Sequence, residues 1–284
     1  MSNPEEFNRY TPTWCPGCGS WIIFASLKSA LVKMGFDPSS VFLTFDIGCS
    51  SNMGDFLNGY ALHGLHGRAI PTAIGMKLAN HKMPVIAVMG DGGCYGEGGN
   101  HLLHACRGNH DITVLVFDNG VYGLTTGQVA PTAKKGFKSK STPAGVIETP
   151  INPLSLTISQ GATFVAQGFA GNQSQLAELI GKGIAHKGFS LINILQPCVS
   201  FNPTRSFDYY KEKTYLLPES YNAGDFRKAL DEVEESVLQE KFPLGVIYET
   251  EKPVFTDGLI QLADKTLVDK SPITHLESIL QDFK

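Results

Sequence analysis

The chain has 284 residues, of which 42% are hydrophobic and 18% charged, with a formal net charge of -4. That length can bury a sizeable core in one large domain or two small ones. The charge gives no global pull toward nucleic acid, and no apolar run is long enough to suggest a membrane span.

The first residues lack the basic-then-apolar pattern of a secretory leader. Six cysteines are too sparse for a disulfide scaffold, so a cytoplasmic protein with reduced thiols is expected. Near the start, Cys15-Pro16-Gly17-Cys18 reads as a tight turn carrying two thiols, followed by a helix over 20–33. An apolar run over 41–47 reads as a buried strand and ends in Ile47-Gly48-Cys49-Ser50. The segment His63-Gly64-Leu65-His66-Gly67-Arg68 then leads into a helix over 69–80.

A second strand, 84–89, ends in Gly90-Asp91-Gly92-Gly93 and gives way to a helix over 97–107. A third, 112–117, ends in Asp118-Asn119. Beyond it lies a loop rich in Ser, Gly and Pro that carries Lys134, Lys135, Lys138 and Lys140. Strands over 162–167 and 190–195 flank a helix over 174–186, and the last strand runs into Gln196-Pro197-Cys198. Alternation of this kind predicts an α/β fold: a mostly parallel sheet with helices on both faces. In such sheets ligands bind outside the carboxyl ends of the strands, where each of these motifs falls. After Cys198 the texture changes. An acidic helix is expected from about 225 to 239, and the rest shows no clear alternation. The chain is therefore divided into a domain over 1–204 and a less regular extension over 205–284 that wraps the core or a partner.

Gly90-Asp91-Gly92-Gly93 combines a carboxylate with small residues that let backbone N–H groups approach a phosphate. Magnesium prefers oxygen ligands and keeps phosphate oxygens in its shell. Asp91 offers a carboxylate, and Asn119, at the end of the next strand, offers a side-chain carbonyl. Cys49 and Cys198 extend the Cys15/Cys18 pair to a four-thiolate set on the same edge of the sheet. Spacing alone leaves zinc, an iron–sulfur cluster and a thiol redox pair open. Cys94 and Cys106 read as buried packing residues.

Taken in order, Cys15-Pro-Gly-Cys18-Gly19, Ile47-Gly48-Cys49-Ser50, His66-Gly67-Arg68-Ala69, Gly90-Asp91-Gly92 and Tyr122-Gly123-Leu124-Thr125-Thr126-Gly127-Gln128 resemble the β subunit of 2-oxoacid:ferredoxin oxidoreductases. The likeness spans about residues 10–204, with a weaker echo at Phe242-Pro243-Leu244-Gly245-Val246-Ile247-Tyr248. It implies a fold that binds the phosphate half of thiamine diphosphate. Cys15, Cys18, Cys49 and Cys198 would hold a 4Fe-4S cluster, and Asp91, Asn119 and the Val121 carbonyl would hold Mg2+. Ile47, Gly48, Cys49, Ser50, His66, Gly92, Gly93, Gly123 and Leu124 would line the cofactor site.

The resemblance further implies oxidative decarboxylation of a 2-oxoacid with coenzyme A as acyl acceptor and ferredoxin as electron acceptor. The Tyr122–Gln128 stretch looks more like 2-oxoglutarate enzymes than pyruvate ones. The glutamate that activates thiamine would come from an α subunit in an (αβ)2 assembly, so no catalytic residue is assigned to this chain. Two positions depart from the pattern. Ser51-Asn52-Met53 stands where many relatives carry a basic residue, and Gly93 stands where the broader thiamine family commonly has an acid. The alternatives are a pyruvate or broad 2-oxoacid enzyme, and a non-redox thiamine-dependent decarboxylase or transferase subunit with structural zinc. The lysine loop is either a solvated loop or a docking site for an acidic ferredoxin or coenzyme A phosphates.

Overall fold

A computed structural model describes residues 3–272, 276–281 and 283. Ten strands are described: β1 (Phe42–Phe45), β2 (Tyr60–His63), β3 (Val85–Gly90), β4 (Thr113–Asp118), β5 (Val121–Tyr122), β6 (Gln128–Val129), β7 (Phe164–Phe169), β8 (Ser190–Leu195), β9 (Thr214–Leu216) and β10 (Phe242–Glu249). Eight form one sheet in the order β2-β1-β3-β4-β8-β7-β10-β9, and β5 and β6 form a small hairpin. The six strands from β2 to β7 run parallel, while β10 is antiparallel to β7.

The parallel strands are apolar on both sides because both faces are covered. In β3, Ile86 and Val88 enter one core with α1 (Ser20–Lys33) and α6 (Gln173–Ala185). Val85, Ala87 and Met89 enter the other, with α3 (Ala69–Ala79), α4 (Gly99–Arg107), α5 (Pro153–Ser159) and α8 (Phe226–Leu238). Two short helices, α2 (Met53–Phe56) and α7 (Phe207–Lys213), pack near the sheet ends. Asn152, Asn172 and Asp225 cap α5, α6 and α8 by accepting from first-turn amides, which satisfies donors the helix itself leaves free.

The less regular character expected after residue 205 begins later than the sequence suggested. Residues up to Glu249 continue the main sheet through β9 and β10, and α8 covers one of its faces. Only beyond Glu249 does the described chain reduce to 3-10 turns and the short α9 (Glu277–Gln281). The strand β10 was hidden in the sequence by Pro243. That residue lies before Gly245, where pairing with β7 starts, so its missing N–H removes nothing from that ladder. The edge strand β2 was hidden as well: its residues are all exposed and show no apolar period.

From β1 the chain steps outward to β2 and then returns to β3 on β1's other side. A strand order that reverses in this way opens a crevice at the carboxyl ends. The loops after β1, β3, β4 and β8 meet there.

Candidate functional site

Ile47, Gly48, Cys49, Ser50, His66, Asp91, Gly92, Gly93, Asn119, Val121, Gly123 and Leu124 all line one cleft, together with Gly90, Phe117, Tyr122 and Thr125. The structure thus brings together every residue expected at the cofactor and magnesium sites, from loops far apart in the chain.

At the floor, Asp91 is fully buried and leads into a π-helical turn, Gly92–Glu97. Its Oδ2 accepts from the Gly120 amide at 2.8 Å and from Thr132 Oγ1 at 2.5 Å. The same Thr132 hydroxyl lies 2.7 Å from Asp118 Oδ1. One hydroxyl has one proton, so it cannot donate to both carboxylates, and a proton or a cation must make up the difference. Burial first and the Asp118 charge second push the Asp91 carboxyl up to about 7. Asp118 is compensated by Arg205, with Nη1 3.5 Å away, and by Asn193 Nδ2 at 3.2 Å.

Asn119 is held from several sides. Its Oδ1 accepts from the Val121 amide at 3.0 Å, its Nδ2 donates to Gln196 Oε1 at 2.8 Å, and its carbonyl accepts from Asn202 Nδ2 at 2.8 Å. A carbonyl oxygen with two lone pairs still has one to give after the Val121 bond. The pair Asp91 and Asn119 therefore suits a hard cation.

Two buried polar atoms have no partner: Nδ1 of His66, which lines the cleft, and Oδ2 of Asp46, which does not. Such atoms are rare in a finished interior, and the His66 nitrogen is the one placed for a cleft ligand to complete. His66 meets the Tyr122 ring edge-on, with centroids 6.1 Å apart. Tyr122 leans over Gly92, where a methyl group would collide with its ring, and its hydroxyl donates to Glu97 Oε2 at 3.1 Å. Asp46 stands behind Gly93, where a Cβ would strike its carboxyl, and Ser51 Oγ donates to it. Burial pushes the Asp46 carboxyl up to about 7. The two glycines thus make room for Tyr122 and Asp46 as well as for the cradle expected at this turn.

The cysteine side is built differently. Cys15-Pro16-Gly17-Cys18 is a turn closed by the Cys18 amide donating to the Cys15 carbonyl at 3.1 Å, and Gly17 has φ +79°. That φ belongs to glycine in a turn with proline before it. Cys15 is exposed, while Cys18, Cys49 and Cys198 are half-buried. A Cβ on Gly123 would lie 3.3 Å from Cys49 Sγ and 3.9 Å from Cys198 Sγ, so these two sulfurs flank one glycine of the cofactor cleft. Burial first, then the facing sulfurs of Cys18, Cys198 and Cys15, push the Cys49 thiol up to about 12. The Cys198 thiol is raised for the same leading reason. Both tryptophans of the chain hold this region by their indole N–H groups. Trp14 donates to the Cys49 carbonyl at 2.7 Å and Trp21 to the Cys15 carbonyl at 3.2 Å. Among the described residues, no three His, Cys, Asp or Glu side chains are spaced to share a single metal ion.

The chain matches the thiamine pyrophosphate enzyme C-terminal TPP-binding domain over residues 46–194, and the C-terminal region of the pyruvate ferredoxin oxidoreductase β subunits over residues 198–264. It is 39% identical over 270 residues to the 2-oxoacid:ferredoxin oxidoreductase subunit β of Saccharolobus solfataricus, covering 91% of this chain and 86% of that one. The chain belongs to the β subunits of 2-oxoacid:ferredoxin oxidoreductases. It is also 37% identical to the 2-oxoglutarate synthase subunit KorB of Archaeoglobus fulgidus, covering 78% of this chain and 80% of that one. A solved 2-oxoglutarate:ferredoxin oxidoreductase from Magnetococcus marinus, with 2-oxoglutarate, coenzyme A and succinyl-CoA bound, superposes with a TM-score of 0.92 at 33% identity. The match covers 100% of this chain and 96% of that one.

Sequence reasoning missed several groups in this β subunit. Asp46, Thr132 and Gln196 are buried and polar, Arg205 is half-buried, and their roles depend on what faces them. Arg205, placed by the sequence at the start of the extension, is instead the cation against Asp118, and its Nη2 donates to the Thr132 carbonyl at 2.7 Å. Its only signal was a charged residue beside the Cys198 segment. Arg68 anchors its loop by donating to the Glu97 carbonyl at 3.2 Å, and His63 is exposed on the edge strand. Cys94 and Cys106 are buried in the α3–α4 core, as expected for packing residues. Among the described residues no helix is long and apolar enough to cross a membrane.

Proposed function

We propose that this β subunit binds thiamine diphosphate, Mg2+ and a 4Fe-4S cluster, and works with an α subunit to oxidise 2-oxoglutarate to succinyl-CoA and CO2, with ferredoxin taking the electrons. The observation that carries this reading is Gly123, a residue of the cofactor cleft that is flanked by the sulfurs of Cys49 and Cys198. A coenzyme site and a sulfur site separated by one glycine suit electron transfer between them.

Asp91 and Asn119, with the Val121 carbonyl, would hold Mg2+. A cation there meets the excess negative charge of the Asp91/Asp118 pair and replaces the proton that Thr132 cannot supply twice. His66 would donate to a phosphate oxygen, which gives a partner to its buried Nδ1. Ile47 to Ser50, Gly92, Gly93, Gly123 and Leu124 would shape the cleft around the coenzyme. Thiamine diphosphate, when bound, would supply the nucleophilic carbon and the electron sink that the decarboxylation needs. This chain's part is to orient that coenzyme and exclude water. Cys15, Cys18, Cys49 and Cys198 would hold the cluster, with the Cys49 and Cys198 sulfurs set against Gly123 at the cleft.

The α subunit would supply the acid that activates the aminopyrimidine, within an (αβ)2 assembly, and coenzyme A would accept the acyl group. Lys135, Lys138 and Lys140 would receive an acidic ferredoxin, while Lys134 is tied to Glu240 at 2.8 Å.

Anaerobic purification of the αβ enzyme tests the proposal. Iron and sulfide in equal amounts, a brown colour that bleaches on reduction, and coenzyme A-dependent ferredoxin reduction faster with 2-oxoglutarate than with pyruvate are expected. A colourless zinc protein rejects the cluster, and a strong preference for pyruvate rejects the substrate.

A further inference from the structure

Gln196 follows β8 directly and is 1% exposed. Its amide donates to the Asp118 carbonyl at 2.8 Å, which extends the β8–β4 ladder and fixes where the side chain starts. A buried primary amide has two donors and an acceptor to satisfy. Here Gln196 Oε1 accepts from Asn119 Nδ2 at 2.8 Å, and Nε2 donates to Ser20 Oγ at 2.6 Å and to Cys18 Sγ at 3.6 Å. Ser20 Oγ lies 3.4 Å from the same sulfur. Gly19 makes the passage possible, since a Cβ there would lie 2.8 Å from Gln196 Cγ. One side chain therefore touches Asn119 at one end and Cys18 at the other.

We infer that Gln196 is a positioning residue shared by the magnesium and cluster centres, an inference that rests on assigning Asn119 to Mg2+ and Cys18 to the cluster. By engaging Nδ2, it fixes which end of the Asn119 amide carries the oxygen, the only atom of that side chain a hard cation takes. At its other end, an N–H directed at the Cys18 sulfur draws charge from the thiolate and favours the reduced cluster. Partners of this kind, one step outside the ligands, set metal affinity and cluster potential.

The test uses the anaerobically assembled αβ enzyme, with iron content and thiamine diphosphate binding of the unmutated protein measured first. Absence of either there rejects the cofactor assignment and not the role of Gln196. Gln196→Met keeps a similar volume and removes both donors and the acceptor. Its cluster should become harder to reduce by about tenfold in the reduction equilibrium, 59 mV for one electron, as read by redox titration with EPR. The Mg2+ concentration for half-maximal thiamine diphosphate binding should rise about tenfold. Gln196→Glu keeps an acceptor toward Asn119 but loses the donor toward Cys18, so it should lower the potential while leaving the Mg2+ requirement near that of the unmutated enzyme. An unchanged potential or an unchanged Mg2+ requirement in an iron-replete Gln196→Met enzyme overturns the inference. Should the Met variant fail to assemble, Gln196→Glu decides alone: a Mg2+ requirement raised tenfold, or an unchanged potential, also overturns it.

Discussion

The Asp91 side of the cleft and the cysteine side differ in how far the polypeptide alone completes them. Around Asp91 the protein supplies part of its own countercharge: Arg205 faces Asp118, Thr132 lies between the two carboxylates and can donate to one of them, and Asn119 is fixed by Val121, Gln196 and Asn202. The cysteine side offers raised thiols at Cys49 and Cys198 beside an exposed Cys15, held by carbonyl contacts from two tryptophans. The first region is a hydrogen-bonded network in which one carboxylate charge stays unmet, whereas the second is a set of thiols that burial holds toward the neutral form. A site assembled from hydrogen bonds tolerates an empty state better than one that depends on four ionised sulfurs.

The sharpest way to break that comparison is Cys198→Ser. It should abolish cluster absorbance and cut ferredoxin-linked turnover more than about 100-fold, while thiamine diphosphate binding, measured by calorimetry, survives. Joint loss of both would show that the two regions are one unit. Next in size, Arg205→Leu leaves the buried Asp118 without its cation and should destabilise the chain by about 3–5 kcal/mol. Denaturant unfolding of the subunit would read this, and a change under about 1 kcal/mol would show that the Asp118 charge is compensated elsewhere.

A smaller effect concerns Asp46, whose folded carboxyl is raised to about 7 from an ordinary 3.8. Between these values the folded state keeps a proton that the unfolded state has released, so its contribution is full below about 3.8 and is lost as the pH rises through 7. The cofactor-free chain should therefore gain stability on going from pH 8 to pH 5.5 relative to Asp46→Asn. Melting temperatures of the two across that range should converge at low pH and separate by a few degrees at high pH. Parallel curves would exclude a titrating Asp46. The smallest expected effect is electrostatic. Reversing Lys135, Lys138 and Lys140 together should raise the ferredoxin KM a few-fold at low salt, and the difference should vanish at high salt.

Much of this architecture was legible in the residues. The runs around Leu43, Val88, Leu115 and Ile192 are apolar on successive positions because both sheet faces are buried, and that alone marks parallel strands. Their ends carry Cys49, Asp91, Asn119 and Cys198, so the gathering of these groups follows from the rule that such strands present their carboxyl ends on one side. The strands β2, β9 and β10, at or next to the sheet's edges, left no comparable trace, since an edge needs no continuous apolar run and tolerates proline.

What the sequence by itself determined is the set of ligand types and the order of elements that delivers them to one crevice, because periodicity and turn chemistry are local properties of the chain. What only the tertiary structure decided is which polar residues support those ligands. Gln196 touches Ser20, Cys18 and Asn119, Arg205 faces Asp118, and Asp46 stands behind Gly93. Pairings across up to 178 positions have no periodic signature. They arise when burial forces each polar group to find a partner among whatever the packed sheet brings beside it.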